Sequence, residues 1–189
     1  MTESTAHQES AQPRRKHELW TLIVWARDLT LSLIIAAVVI LFIYQPVQVE
    51  GTSMEPTLVD QERIFINKFT YRFGLEKIER GDMVVFFLPG DRNKSYIKRV
   101  IGRPGDRVEI LQGVVTVNGK PLEEKYVPPE YRDHQDYEAR TVPADQYFVL
   151  GDHRVSSYDS RVLGCIRREN IYGKAVFVYW PLEKIGPVR

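Results

Sequence analysis

Between Leu29 and Tyr44 the chain reads LTLSLIIAAVVILFIY, without one charge. A stretch this lipophilic has to lie among apolar surroundings. It continues backwards through Leu19–Trp25, broken only by Arg27-Asp28. The whole exceeds the roughly 20 residues that cross a bilayer as a helix. Trp20 and Trp25 fit one membrane interface and Tyr44 the other. The pattern predicts a transmembrane signal anchor over 19–45. A flexible polar tail over 1–18 precedes it, carrying Pro13 and no apolar periodicity. A separate domain over 46–189 follows.

The flanks give a direction. Arg14, Arg15, Lys16 and Arg27 precede the apolar core, whereas residues 46–60 hold no Lys or Arg. Basic flanks stay cytoplasmic, so the N-terminus is expected inside and everything after Pro46 outside. A cleavable signal peptide would need a small-residue A-x-A site, and Tyr44-Gln45-Pro46-Val47 does not supply one. A buried core helix fits poorly with so lipophilic a run behind basic residues.

Of the 189 residues 43% are hydrophobic, enough for one packed domain beyond the anchor. The net charge of +1 provides no basic field for nucleic acid. A lone Cys165 forbids an intrachain disulfide and reads as a small core residue. After Pro46 the pattern becomes short β-branched and aromatic runs: 63–67, 83–88, 96–101, 146–150 and 171–180. Asn118-Gly119 between apolar flanks is a tight-hairpin signal. The fold class predicted is mainly β, a strongly bent antiparallel sheet behind one N-terminal helix. Glu123–Asp145, with Pro128-Pro129 and many charges, reads as a variable surface excursion.

Four stretches are unusual for plain β structure. Gly51-Thr52-Ser53-Met54-Glu55-Pro56-Thr57 is a turn in which a serine has an ordinary use. Arg80-Gly81-Asp82 alone is punctuation before a strand. In Tyr96-Ile97-Lys98-Arg99-Val100-Ile101 each strand face carries one cation among apolar neighbours. Such cations can snorkel to water. Alternatively, a desolvated Lys98 loses its proton more easily and becomes a base. Gly151 through Arg161 packs hydroxyls and alternating charges after an apolar strand, as a polar network or an exposed loop would.

Other chemistries fit less well. Asp152 and His153 are adjacent and point apart, which argues against a Ser-His-Asp triad with Ser53, and no G-x-S-x-G elbow is present. Ser95-Tyr96-Ile97-Lys98 matches S-x-x-K, but that motif needs a helical turn and this segment reads as strand. His7, His17, His134 and His153 show no ligand spacing, so no metal is expected. Ser53 and Lys98 remain.

In this order behind an anchor, the stretches resemble the type I signal peptidases, a family with a serine–lysine dyad. The single anchor is similar to the smaller members in cyanobacteria and Gram-positive bacteria. The resemblance implies Ser53 as nucleophile, Lys98 as general base and Ser157 as the hydroxyl that orients Lys98. It implies the Ser53 backbone N–H as an oxyanion donor and Asp159 with Arg161 as structural support. Val49, Met54, Leu58, Tyr96 and Ile97 match substrate-pocket positions. Two departures stand out. Gly51 replaces a serine that serves some members as second oxyanion donor, which leaves that donor unassigned. His153 replaces a common asparagine and receives no role. The implied activity is removal of signal peptides from exported preproteins, cutting after small residues at −1 and −3, without a cofactor. Partners would be those preproteins and the lipid bilayer, near the export machinery, in the cell membrane or a thylakoid membrane. Two rivals differ in kind. A self-cleaving serine–lysine regulator would carry a helix-turn-helix where this chain has an anchor. A non-catalytic membrane-tethered β scaffold would be indifferent to Ser53→Ala.

Overall fold

The computed structural model describes residues 13–69, 76–88 and 91–188. They form two units that part at Leu41–Phe42. The first holds all but the last two residues of helix α1 (Pro13–Ile43). Its segment Glu18–Ile40 is long and apolar enough to cross a membrane, and none of it is buried against protein. The residues that interrupt the apolar run neutralise each other, with Arg27 Nη2 2.9 Å from Asp28 Oδ1. The helix starts earlier than the sequence suggests: residues 13–18, read as tail, are helical, whereas 1–12 lie outside the described residues. It also ends earlier, because Tyr44 and Gln45 already belong to a strand.

The second unit is built from two antiparallel sheets. β1 (Tyr44–Gln48), β2 (Arg63–Asn67), β3 (Met83–Leu88) and β4 (Asp91–Gly102) open the larger sheet. β5 (Arg107–Leu111), β6 (Val114–Val117), β7 (Lys120–Pro121) and β8 (Tyr137–Thr141) make the smaller one, in the order β7-β6-β5-β8. β9 (Gln146–Leu150), β10 (Ile166–Arg167), β11 (Ile171–Trp180) and β12 (Gly186–Pro187) complete the larger sheet. Its order is β1-β2-β11-β3-β4-β9-β10, with β12 on β11. One short helix, α2 (Ser160–Leu163), precedes β10.

The chemistry of these strands explains the layering. The end of β4 and β9 alternate apolar side chains that are buried on both faces, so this part of the larger sheet is covered on both sides. Val100 and Val149 join Val84 and Phe86 on one face. Ile101, Phe148 and Leu150 meet Val108, Ile110 and Val115 of the smaller sheet on the other. Burial of this kind contributes about 25 cal/mol per Å² of apolar surface. The β6–β7 hairpin turns on Asn118 and Gly119, at φ 53° and 75°. Both central residues of a type I′ turn need positive φ, which Asn-Gly tolerates.

Glu123–Asp145 is more than a surface excursion. It supplies β8, whose residues Arg140 and Thr141 pair with Val108 and Arg107 of β5. Charged side chains on β8 hid the strand from a reading based on composition, because pairing rather than propensity makes it.

Candidate active site

The serine segment is held from below by its own side chains. Met54 and Leu58 are one helical turn apart, and Leu58 N–H donates to Met54 O at 2.9 Å. Both therefore point inward together. They are 1% and 0% exposed and pack with Val49, Ile64 and Met83. The sequence reading put Met54 and Leu58 in a substrate pocket. They pack into the core beneath the turn and are not among the residues that line the groove beside Ser53.

That groove holds about 490 Å³ between the Val47–Glu50 segment and the Lys94–Lys98 stretch of β4. Val49, Tyr96 and Ile97 line it, joined by Val47, Ile64 and Val85, with Ser53 and Lys98 alongside them. Tyr96 and Val100, on the lysine's face of β4, lean on the apolar cluster around Phe86.

Ser53 Oγ and Lys98 Nζ lie 2.7 Å apart. Lys98 is 3% exposed, so its stem does not snorkel. Nζ also donates to Ile97 O at 2.9 Å. Burial pulls the Lys98 amine down from 10.5 to about 8, against the opposing pull of Asp159 and Asp152. Loss of water disfavours the ammonium more than those carboxylates favour it. As it stands Nζ donates to Ser53 Oγ, and only after losing its proton does the amine have a lone pair to accept the serine's hydrogen.

Ser157 behaves differently from the expectation. Its Oγ is buried beside Gly151 and has no hydrogen-bond partner among the described residues, so here it does not bond Lys98. A Cβ on Gly151 would stand 2.2 Å from Ser157 Oγ and 2.4 Å from Ser53 O. The bare glycine is what lets the two serine segments touch.

Asp159, fully buried, holds Arg161 through Nε–Oδ1 at 2.9 Å and Nη2–Oδ2 at 2.8 Å. It also accepts from Gly151 N–H at 3.0 Å. Beside it runs a pairing absent from the sequence reading. Arg99 donates to both oxygens of Asp152, at 2.8 and 2.7 Å, and to Thr57 Oγ1 at 3.3 Å. Thr57 Oγ1 in turn donates to Asp152 Oδ2 at 2.5 Å. Asp152 thus binds Arg99 and leaves His153 to other partners. His153 Nδ1 lies 3.3 Å from Thr52 O, and its backbone N–H donates to Ser53 O at 3.2 Å.

The 123–145 segment closes this network from outside. The Tyr126 ring lies 4.0 Å from the Arg99 guanidinium carbon. Its hydroxyl donates to Glu124 at 3.0 Å, and burial together with that carboxylate pushes its pKa up. Glu124 binds Arg154 at 2.9 and 2.5 Å, and Arg154 Nε donates to Gly151 O at 2.9 Å. Asp133 pairs with Arg161. The alternating charges in both segments were the available signal, but charge density does not say which partner each takes.

Gly51 sits at φ 89° with its N–H donating to Asp60 Oδ1 at 2.7 Å. Among the described residues no cluster of His, Cys, Asp and Glu is arranged to hold a metal.

The family described as signal peptidase, peptidase S26, matches residues 22–180. A probable signal peptidase I-2 of Synechocystis is 39% identical, over 98% of this chain and 85% of that protein. Signal peptidase I P of Bacillus subtilis subsp. natto is 37% identical, over 91% and 96%. A signal peptidase I of Leptolyngbya laminosa is 36% identical, over 96% and 89%.

Proposed function

Since the chain belongs to the signal peptidase family S26, and is a serine endopeptidase of that family, we propose that it removes signal peptides from preproteins with a Ser53–Lys98 dyad. The observation that carries this reading is the 2.7 Å approach of Ser53 Oγ to a lysine amine that is 3% exposed. A neutral Lys98 accepts the Ser53 proton as Oγ attacks the scissile carbonyl. The resulting ammonium gives that proton to the leaving amine. The Lys98 amine then takes a proton from the water that attacks the acyl-serine and returns it to Ser53 Oγ as the acyl C–O bond breaks, which restores both residues.

The developing oxyanion is taken up by the Ser53 backbone N–H. Asp159 and Arg161 support the site through the Gly151 backbone. Ser157 brings a buried hydroxyl next to Gly151, and its part is to line the wall behind the dyad rather than to hold the resting lysine. An extended signal-peptide end lies in the groove along Val49, Tyr96 and Ile97, forming main-chain hydrogen bonds. Its shallow apolar walls accept small residues at −1 and −3.

Helix α1 makes this a single-pass membrane protein, with the basic N-terminus cytoplasmic and the β unit outside, in a plasma or thylakoid membrane near the export machinery. Protease added to intact spheroplasts is expected to digest the β unit. Protection until permeabilisation overturns that orientation.

The deciding experiment mixes the full-length protein in detergent with a preprotein, followed by N-terminal sequencing of the product. Cleavage after a small −1 residue by wild type, and none by folded Ser53→Ala, is the expected result. Wild-type turnover by Ser53→Ala overturns the dyad.

A further inference from the structure

We propose that His153, backed by Tyr131, is a positioning residue that aims the Ser53 backbone N–H. The proposal rests on the Ser53 reading above and extends it to a residue outside the dyad.

His153 grips two consecutive carbonyls of the serine turn. Its backbone N–H donates to Ser53 O at 3.2 Å, and its ring Nδ1 stands 3.3 Å from Thr52 O. A carbonyl only accepts, so in this contact Nδ1 is the donor. Thr52 O also accepts from Glu55 N–H at 3.0 Å, which uses its second lone pair. The Thr52 carbonyl shares a peptide plane with the Ser53 N–H. In a planar trans peptide these two groups point in opposite directions. The Thr52–Ser53 bond is trans, since among the described residues the cis bonds are Glu55–Pro56 and Trp180–Pro181. Fixing Thr52 O from one side therefore fixes the direction of the Ser53 N–H on the other.

The ring that does this is itself held. Tyr131 packs against it with centroids 4.3 Å apart and planes at 59°. Tyr131 comes from the stretch between Glu124, bound to Arg154, and Asp133, bound to Arg161. Two ion pairs therefore brace the wall on which the imidazole leans. A misaimed donor weakens stabilisation of the oxyanion, which exists only in the transition state, so kcat falls and KM does not.

The test compares full-length variants on one preprotein. His153→Leu fills similar space without a donor and is expected to lower kcat about tenfold or more, short of the roughly 10²–10³ lost with a whole oxyanion donor. KM should stay near wild type. His153→Asn carries an amide N–H the same number of bonds from the backbone and is expected to recover most of the loss. Tyr131→Leu removes the wall without touching the turn and should reproduce the split in milder form; it decides the question if His153→Leu does not fold. Wild-type kcat in folded His153→Leu, equal losses in the Leu and Asn variants, or a loss confined to KM overturns the proposal. Ser53→Ala runs in parallel. If Ser53→Ala still cleaves, the dyad reading fails; if it is dead while His153→Leu is fully active, only the positioning role fails.

Discussion

Arg99 binds Asp152 with two hydrogen bonds of 2.8 and 2.7 Å, on the residue next to the buried lysine of β4. The two strand neighbours thus face opposite sides, one into the serine, the other into a carboxylate. Both arginine and aspartate are nearly inaccessible, at 4% and 0% side-chain exposure. A buried pair of this kind contributes little beyond an apolar replacement, but breaking it leaves one charge without its counterion. Asp152→Ala is therefore expected to cost about 3–5 kcal/mol, measured by urea unfolding of the protein in detergent. Thr57 Oγ1, Gly81 O and the Tyr126 ring also touch the Arg99 guanidinium, and none of these three carries the charge of the lost carboxylate. A variant with both positions made apolar should recover part of that loss, and a loss below about 1 kcal/mol for Asp152→Ala would defeat the argument.

Gly151 gives a steric prediction. A methyl group there meets Ser157 Oγ at 2.2 Å and Ser53 O at 2.4 Å. The hydroxyl can rotate away, but the carbonyl belongs to the backbone of the serine itself. Gly151→Ala is expected to displace Ser53 from Lys98 and lower cleavage by at least about a hundredfold, because small misplacements of reacting groups are costly. Near-wild-type turnover would mean the turn yields without moving Ser53 Oγ.

Gly51 is constrained by conformation and not by space. Nothing lies within 4 Å of a Cβ built on it, yet its φ is 89°. Positive φ costs an ordinary residue about 1–2 kcal/mol. Gly51→Ser is thus expected to lower the unfolding free energy by that amount, while the folded fraction keeps its kcat. A gain in kcat would identify the added hydroxyl as a second oxyanion donor. Complete loss in folded protein would assign the glycine a part in the turn's working geometry.

The parts of the fold that local chemistry dictates were legible. β2, β3, β9 and β11 are runs of β-branched and aromatic residues ending at turn formers, and Asn118-Gly119 specifies its own hairpin. β1 was not, because Tyr44-Gln45-Pro46-Val47-Gln48 follows an apolar helix and becomes a strand only by pairing with β2. The site divides in the same way. Ser53 in a turn and Lys98 on a strand each have an ordinary use, and it was the order of the four stretches behind an anchor that singled them out. The Arg99–Asp152 pair joins residues far apart in the chain and has no local signature. Met54 and Leu58 carry i,i+4 spacing, a pattern that fits an inward helical turn better than a pocket wall. Ser157 was matched by position, whereas a hydrogen bond needs a direction that position does not supply.

Lys98 combines stability and chemistry in one group. Its amine falls from 10.5 to about 8, chiefly because burial strips water from the ammonium. Below about pH 8 it is protonated in both folded and unfolded chains, and the folded state bears the full cost of a buried charge. As pH rises from about 8 towards 10.5, the folded chain releases the proton while the unfolded chain keeps it. The unfolded state then binds more protons, so stability rises across that window. The shift corresponds to a cost on the order of 3 kcal/mol at neutral pH. Lys98→Met, an apolar chain of similar length, should therefore be more stable than wild type at pH 6–7, and the difference should shrink above about pH 10. Activity has the opposite dependence on the residue. The wild-type kcat/KM should rise with pH through about 8, as the neutral amine becomes available to accept the Ser53 proton. Lys98→Met and Lys98→Arg should both be inactive, the second because a guanidinium keeps its proton. Thermal midpoints at two pH values and preprotein cleavage by the same folded preparations check both halves. A Lys98→Met protein that is more stable at neutral pH yet still cleaves would keep the burial argument and remove Lys98 from the chemistry. One that is inactive but gains no stability would mean that the amine is not the charged burden its surroundings imply.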